Sequence, residues 1–160
     1  MLKELESISN KLNEALSVLV QTLDRLTEEQ ADEVKITSEW SARDEIAHLA
    51  GAKRGMHAIA QKMAAGQDPQ LRPDYDNNFY NARQVAKRKG KSLADLRQEI
   101  EEAHAELISF LDSLTQEQLD LMGQHPIYGH VKLKELLVII YSHETTHTRE
   151  ISDKIRESKK

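Results

Sequence analysis

Apolar residues recur at intervals of three and four through four stretches of this chain, and this spacing predicts four long amphipathic helices. The first stretch is the most regular and would form one apolar stripe over about seven helical turns. Its members are Leu2, Leu5, Ile8, Leu12, Leu16, Leu19, Leu23 and Leu26. We expect this helix to end near Thr27, because a polar segment follows it as far as Trp40.

Serine residues mark the expected starts of the second and third helices. Ser41 with Asp44, and Ser92 with Asp95, have the spacing of a capping box, in which each side chain bonds the other residue's backbone N–H. The apolar positions that follow are Ile46, Leu49, Met56, Ile59 and Met63 in the second helix and Leu96, Ile100, Ala103, Leu107, Phe110 and Leu114 in the third. A turn with glycine and proline then leads into a fourth helix, from about residue 132 to residue 156.

A long connection, residues 64–91, separates the second helix from the third and contains two prolines. We expect a short helix within it, over residues 76–89. A connection of this length in a compact domain commonly crosses the fold or covers a site. Tyr75, Phe79 and Tyr80 are therefore predicted to form the lid or wall of a pocket, with ordinary core packing as the alternative.

One ten-residue sequence occurs twice in a similar form. LDRLTEEQAD at residues 23–32 matches LDSLTQEQLD at residues 111–120 in seven of ten positions, and each copy closes a long helix. Two independent helix-stop signals would explain the match, but the repeat also favours two helix hairpins packed together. We therefore predict an all-α protein, with residues 1–160 forming a single four-helix bundle domain.

Composition and charge exclude several classes of protein. The 160 residues carry a net charge of −5, so no basic surface suggests a nucleic-acid partner. The absence of cysteine excludes disulfides, thiolate metal sites and a cysteine nucleophile. No apolar run approaches the roughly 20 residues of a membrane span, and the first residues lack the apolar core of a signal peptide. These features predict a cytoplasmic protein without a membrane partner.

Two histidines in the fourth helix have the spacing of metal ligands. His143 and His147 lie four residues apart among apolar positions that include Ile140 and Ile151, so both imidazoles share one inward helix face. A single histidine there would more often be an ordinary buried residue, but a pair favours one bound metal ion. We predict His48 as the third ligand, because it points towards the buried face of the second helix. Three neutral imidazoles suit a borderline divalent ion and leave positions open for water or substrate.

Three segments of the chain resemble a known family. They are WSARDEIAHL (residues 40–49), HPIYGHVKLKELL (residues 125–137) and HETTHTREI (residues 143–151), and they are similar to segments of the DinB/YfiT-like metalloenzymes. The resemblance implies a four-helix bundle, often dimeric, with a divalent ion on the three histidines named above. It also implies a reaction type, since known members include thiol-dependent S-transferases and maleylpyruvate isomerases. Glu150 departs from the family, whose members often carry glutamine there.

The sequence HETTH also satisfies the HExxH motif of zinc proteases, in which the glutamate is a general base. A protease would need a further ligand downstream, and glycine and histidine would have to stand where Glu150 and Asp153 do. The motif therefore does not indicate a protease. We nevertheless predict that Glu144 is a catalytic base beside the metal, with an exposed helix glutamate as the alternative.

A di-iron centre is a further alternative. Glu45, Glu101 and Glu144 each precede a histidine by three residues, which is the spacing of the ligand pairs in ferritin-like bundles. Such a centre also needs a glutamate from each remaining helix, and the first helix offers only Glu14, which lies off its leucine stripe. It would also leave His143 without a role.

The function that these observations favour is a metal-dependent enzyme in which the ion activates water or a thiol for attack on a small electrophilic molecule. The ion expected is Zn²⁺ or Ni²⁺ ahead of Fe²⁺ or Mn²⁺, and the partners expected are a small-molecule substrate, such as a low-molecular-weight thiol, and a second copy in a homodimer. The alternative is a non-catalytic bundle that binds a metal or ligand. By default the remaining histidines are surface or boundary residues: His57, His104, His125 and His130.

Overall fold

The structure, a computed structural model, describes all residues 1–160 and confirms the predicted four-helix bundle. Four of its six α-helices are long, and a two-stranded antiparallel hairpin and a short 3-10 helix (Glu117–Asp120) precede the last one. The helices are α1 (Lys3–Leu23), α2 (Glu28–Glu33), α3 (Ala42–Ala64), α4 (Asn77–Lys87), α5 (Leu93–Ser113) and α6 (Leu133–Ser158), and the strands are β1 (Met122–His125) and β2 (Gly129–Lys132). None of the helices has the length and apolar character that crossing a membrane requires.

The starts of the helices follow the predicted capping signals. Ser41 and Ser92 both form reciprocal capping boxes, and α4 lies within the residues predicted for a short helix. The sequence did not predict α2, the 3-10 helix or the hairpin. Helix α2 begins at a further capping box, between Thr27 and Gln30, inside the polar segment that follows the first helix. The hairpin has only four residues per strand, too few to show an alternating pattern, and its glycine and proline residues indicated only a turn.

The four long helices form a ring in which α6 lies between α1 and α3, and α5 completes the ring between α3 and α1. One apolar cluster joins the C-terminal halves of α1 and α6 to the N-terminal halves of α3 and α5, and a second cluster joins the opposite halves. Helices α1 and α6 therefore run parallel to each other and antiparallel to α3 and α5. This places α3 and α6 side by side, as a shared metal site between them requires.

The order of the ring corrects the expectation drawn from the repeated decapeptide. Two helix hairpins would place α1 beside α3 and α5 beside α6, but each of these consecutive pairs lies diagonally across the bundle. The parallel neighbours α3 and α5 need a connection that returns along the bundle, and the long segment containing α4 supplies it. Helix α4 packs against α3, so this connection also covers one side of the bundle.

Candidate metal centre

The imidazole rings of His48, His143 and His147 meet where α3 packs against α6. Ring centroids are 5.0 Å apart for His48 and His143, 4.9 Å for His48 and His147, and 4.3 Å for His143 and His147. One ring nitrogen of each histidine lies within 4.8 Å of one ring nitrogen of each of the other two. The structure thus brings together the three residues selected from the sequence.

The donor set fits a divalent ion. Nε2 of His48 lies 3.1 Å from Nε2 of His143. Zn–N bonds of about 2.0 to 2.1 Å place two nitrogens on a tetrahedral ion about 3.3 Å apart, which is close to this spacing. Burial lowers the pKa of His48 to about 4 and the pKa of His143 to about 3. Both rings are therefore neutral near pH 7, which is the form that binds metal.

Two carboxylates hold His147 from the other side of its ring. Nδ1 of His147 contacts Oε1 of Glu45 and lies 3.0 Å from Oε2 of Glu150. Burial works to lower the pKa of His147, but these carboxylates outweigh it and the pKa is raised. A carboxylate on one imidazole nitrogen fixes the tautomer and leaves the other nitrogen, here Nε2, for a metal.

Glu45 is a site residue that the sequence considered only as part of a di-iron ligand pair. Its contact with His147 joins α3 to α6, and no spacing within a single helix reveals such a contact. The sequence could have indicated Glu45 through its position three residues before His48, because this spacing places both residues on one face of α3. Glu150 makes the second contact with His147.

Glu144, the predicted base, does not join the three histidines. Its Oε2 lies 2.7 Å from Nζ of Lys53 in the bundle interior, where both side chains are almost fully buried. Nζ of Lys53 is also 3.3 Å from Nδ1 of His104, and Nε2 of His104 is 2.8 Å from Oδ1 of Asn13. These four residues, one from each long helix, are called the central network below. The role of Glu144 as a base stays a prediction, and its contacts favour a structural role.

A cavity of about 350 Å³ opens beside the rings of His48 and His143. Tyr75 and Tyr80 line it, which confirms the predicted wall, whereas Phe79 is 63% exposed and is not part of the lining. None of its 16 lining residues carries a carboxylate. The candidate metal centre therefore faces a space large enough for a small molecule.

Four histidines lie outside the candidate metal centre, and the sequence predicted surface or boundary positions for all of them. His130 is exposed as expected and lies 3.3 Å from Asp68. His57, His104 and His125 are buried, so a surface or boundary position is wrong for these three. The ligand set of a di-iron centre does not converge, because Glu101 lies on the surface and pairs with Arg97, while His104 belongs to the central network.

The bundle and its three-histidine group define a class: helical bundles with a candidate metal centre beside a small-molecule cavity. The model of the DinB superfamily matches residues 11–151, and the chain belongs to this superfamily. The family resemblance read from the sequence is thereby confirmed. No curated protein sequence matches the chain.

Several solved structures share the fold. YfiT from Bacillus subtilis, a probable metal-dependent hydrolase with an unusual four-helix bundle topology, has a TM-score of 0.79 at 21% identity and covers 99% of this chain and 90% of its own. The mycothiol-dependent maleylpyruvate isomerase has a TM-score of 0.79 at 15% identity, over 94% of this chain and 63% of that longer one. The colibactin self-resistance protein ClbS, in complex with a dsDNA, has a TM-score of 0.75 at 14% identity, over 92% and 93% of the two chains.

Proposed function

We propose that this protein is a metal-dependent enzyme in which His48, His143 and His147 bind one divalent ion and direct water or a thiol at a small electrophilic molecule. The observation that carries the proposal is that two of the three candidate ligands line a cavity of small-molecule size. A structural zinc site is normally closed by four protein ligands, whereas three leave a position for chemistry. Zn²⁺ and Ni²⁺ are proposed ahead of Fe²⁺ and Mn²⁺.

The residues around the cavity have distinct tasks in this proposal. A divalent ion held by the three histidines would supply Lewis acidity and lower the pKa of the nucleophile. Glu45 and Glu150 orient His147, and Tyr75 and Tyr80 enclose the substrate. In transfer or hydrolysis the nucleophile gives up a proton as its bond to the electrophilic carbon forms, and the leaving group takes one as its own bond breaks.

The comparisons support the type of substrate that we propose. YfiT, a probable metal-dependent hydrolase, and the mycothiol-dependent isomerase share this fold, which supports hydrolysis or thiol chemistry as the reaction type that we propose. The ClbS complex contains DNA, but the net charge of −5 and a cavity of small-molecule size favour a small molecule here. A homodimer and a cytoplasmic location remain predictions.

Metal analysis and chelation test the proposal. We expect one divalent ion per purified chain, and a screen of thiol-transfer and hydrolysis substrates should find an activity that a chelator abolishes. Circular dichroism should show that chelation lowers the melting temperature only slightly, because two apolar clusters already hold the helices together. A loss of helicity on chelation at room temperature would instead indicate a structural metal and contradict the enzyme proposal.

A further inference from the structure

His125, the last residue of β1, has a ring whose two nitrogens lie in different surroundings. Nδ1 accepts hydrogen bonds from the backbone N–H groups of Ile127 at 3.1 Å and Tyr128 at 3.3 Å. The ring also packs on the Tyr128 ring, with 5.1 Å between centroids, and Gly129 closes the turn with a φ of +71°. A nitrogen that accepts hydrogen bonds carries no proton, so the proton of this imidazole is on Nε2.

The cavity is where Nε2 of His125 can act. The ring lines the same cavity as His48 and His143, and both hydrogen bonds that it makes within the protein are at Nδ1 rather than at Nε2. Nε2 is therefore a free N–H donor beside the candidate metal centre. No carboxylate lines this space, so the donor is left for an acceptor atom that arrives with a ligand.

The same tautomer excludes His125 from the metal. To bind an ion through Nε2, the ring would have to carry its proton on Nδ1, where it would face the N–H groups of Ile127 and Tyr128. Both backbone donors would then face the Nδ1 proton instead of an acceptor, and the two hydrogen bonds that hold the turn would be lost. His125 is thus near the three histidines but unsuited to be a fourth ligand.

We propose that His125 donates a hydrogen bond from Nε2 to an oxygen, nitrogen or sulfur lone pair of the substrate, and that it positions this substrate beside the three-histidine site. The inference rests on the function proposed for that site. The hairpin is well placed for this task because Gln124 ties it to the segment before α4. Its backbone N–H donates to the carbonyl of Pro69 at 3.2 Å, and its Oε1 accepts from the backbone N–H of Leu71 at 2.8 Å. A donor fixed in advance needs no reorganisation when the ligand arrives.

The tautomer can be measured without any activity. Long-range ¹H–¹⁵N correlation spectra of the uniformly labelled protein distinguish a protonated, an unprotonated and a metal-bound imidazole nitrogen. We expect His125 to show unprotonated Nδ1 and protonated Nε2 in the metal-free protein and after addition of Zn²⁺. A proton on Nδ1 in either form, or a metal-bound Nε2, would overturn the proposal.

Two substitutions separate the roles of the two ring nitrogens. His125→Asn places an amide oxygen near Nδ1 and keeps an acceptor for the turn, whereas His125→Gln keeps a donor near Nε2. With azide as the probe and the visible spectrum of Co²⁺-loaded protein as the readout, we expect His125→Asn to weaken azide binding about tenfold and leave one Co²⁺ per chain. His125→Gln should bind azide within about threefold of the unmodified protein while lowering its melting temperature.

The matched control is His130→Asn, on the same hairpin, where the histidine pairs with Asp68 outside the cavity lining. It should bind azide as the unmodified protein does. Unchanged azide affinity in His125→Asn, or loss of its Co²⁺, would overturn the donor role. A chain that takes up neither Zn²⁺ nor Co²⁺ would contradict the proposed function instead, and the tautomer of the metal-free protein would still decide whether Nε2 is a donor.

Discussion

The central network and the three-histidine group occupy the same middle layer of the bundle, but their polar atoms are used differently. In the central network, Lys53 contacts both Glu144 and His104, and His104 also contacts Asn13. In the three-histidine group, ring nitrogens point at one another beside a cavity, and carboxylates contact only the far side of His147. Oε1 of Glu144 has no hydrogen-bond partner, but the other groups of the central network bind one another across four helices. Polar groups bound to one another in this way favour a structural role, whereas converging nitrogens beside open space favour ligand binding.

The two groups touch the same helix at adjacent residues, His143 and Glu144. One residue along an α-helix rotates the side chain by about 100°, so neighbours cannot face the same partner. His143 lies at the edge of the buried face and is turned towards α3, while Glu144 lies near its middle, between the two apolar clusters. This rotation explains why the motif HETTH contributes to both groups.

The largest effect should come from removing a ligand. We expect His48→Ala or His147→Ala to abolish the one ion per chain, because two remaining imidazoles hold a divalent ion poorly. Elemental analysis after gel filtration measures the ion, and circular dichroism should show unchanged helicity. His130→Ala is the control and should keep its ion. If both variants keep one ion per chain, the metal does not bind at the three histidines.

A large loss of stability should follow from breaking the central network. Lys53→Met leaves the Glu144 carboxylate buried without its cation, and we expect the free energy of unfolding to fall by about 3 to 5 kcal/mol. Urea denaturation measures this change. The double variant Lys53→Met/Glu144→Leu should recover most of the loss, since apolar replacement of a buried ion pair is often neutral. The ion content should stay at one per chain. Loss of the ion would show that metal binding by the three histidines depends on the central network.

An intermediate effect is expected from the carboxylate behind His147. Glu45→Gln keeps the size of the side chain but removes its charge, and we expect metal affinity to fall about 10- to 100-fold. Isothermal titration with Zn²⁺ measures the affinity. Glu101→Gln, on the exposed face of α5, is the matched control and should leave affinity unchanged. An affinity unaffected by Glu45→Gln would show that the contact with His147 does not support the ligand.

The smallest effect should come from Glu150→Gln. The Glu150 side chain is 49% exposed, Glu45 remains in place, and a glutamine oxygen can still accept from Nδ1 of His147. We therefore expect metal affinity to fall by less than about tenfold in the same titration. A larger loss than that of Glu45→Gln would reverse the ranking of the two carboxylates.

Much of the fold could be predicted because its signals are local. The leucine stripe of α1 and the serine caps at Ser41 and Ser92 depend on residues within a few turns of each other. The order of helices around the ring could not be predicted, because an apolar face shows that it is buried but not which helix it meets. The diagonal placement of α1 and α3 is therefore invisible in the periodic pattern.

The candidate site also has residues that local spacing predicts and residues that it does not. His143 and His147 follow from a spacing within one helix, and His48 follows from an inward position on another. Glu144 shows the limit of this reasoning, because a helical wheel says that it points inward but cannot tell the cavity from the bundle centre. His125 was overlooked for a different reason. Its significance depends on two backbone contacts inside a turn, and the sequence indicates the turn without its hydrogen bonds.

The position of α6 between α1 and α3 has a consequence for how the protein is made. His48 and His143 are separated by 95 residues, and α6 follows every other helix along the chain. While the chain is being synthesised on a ribosome, the first three long helices emerge before the segment with two of the three candidate ligands. Contacts so distant along the chain form late in folding. A nascent or truncated chain that lacks α6 therefore cannot bring all three histidines together, and the proposed ion can be bound by all three only after α6 has been made and packed.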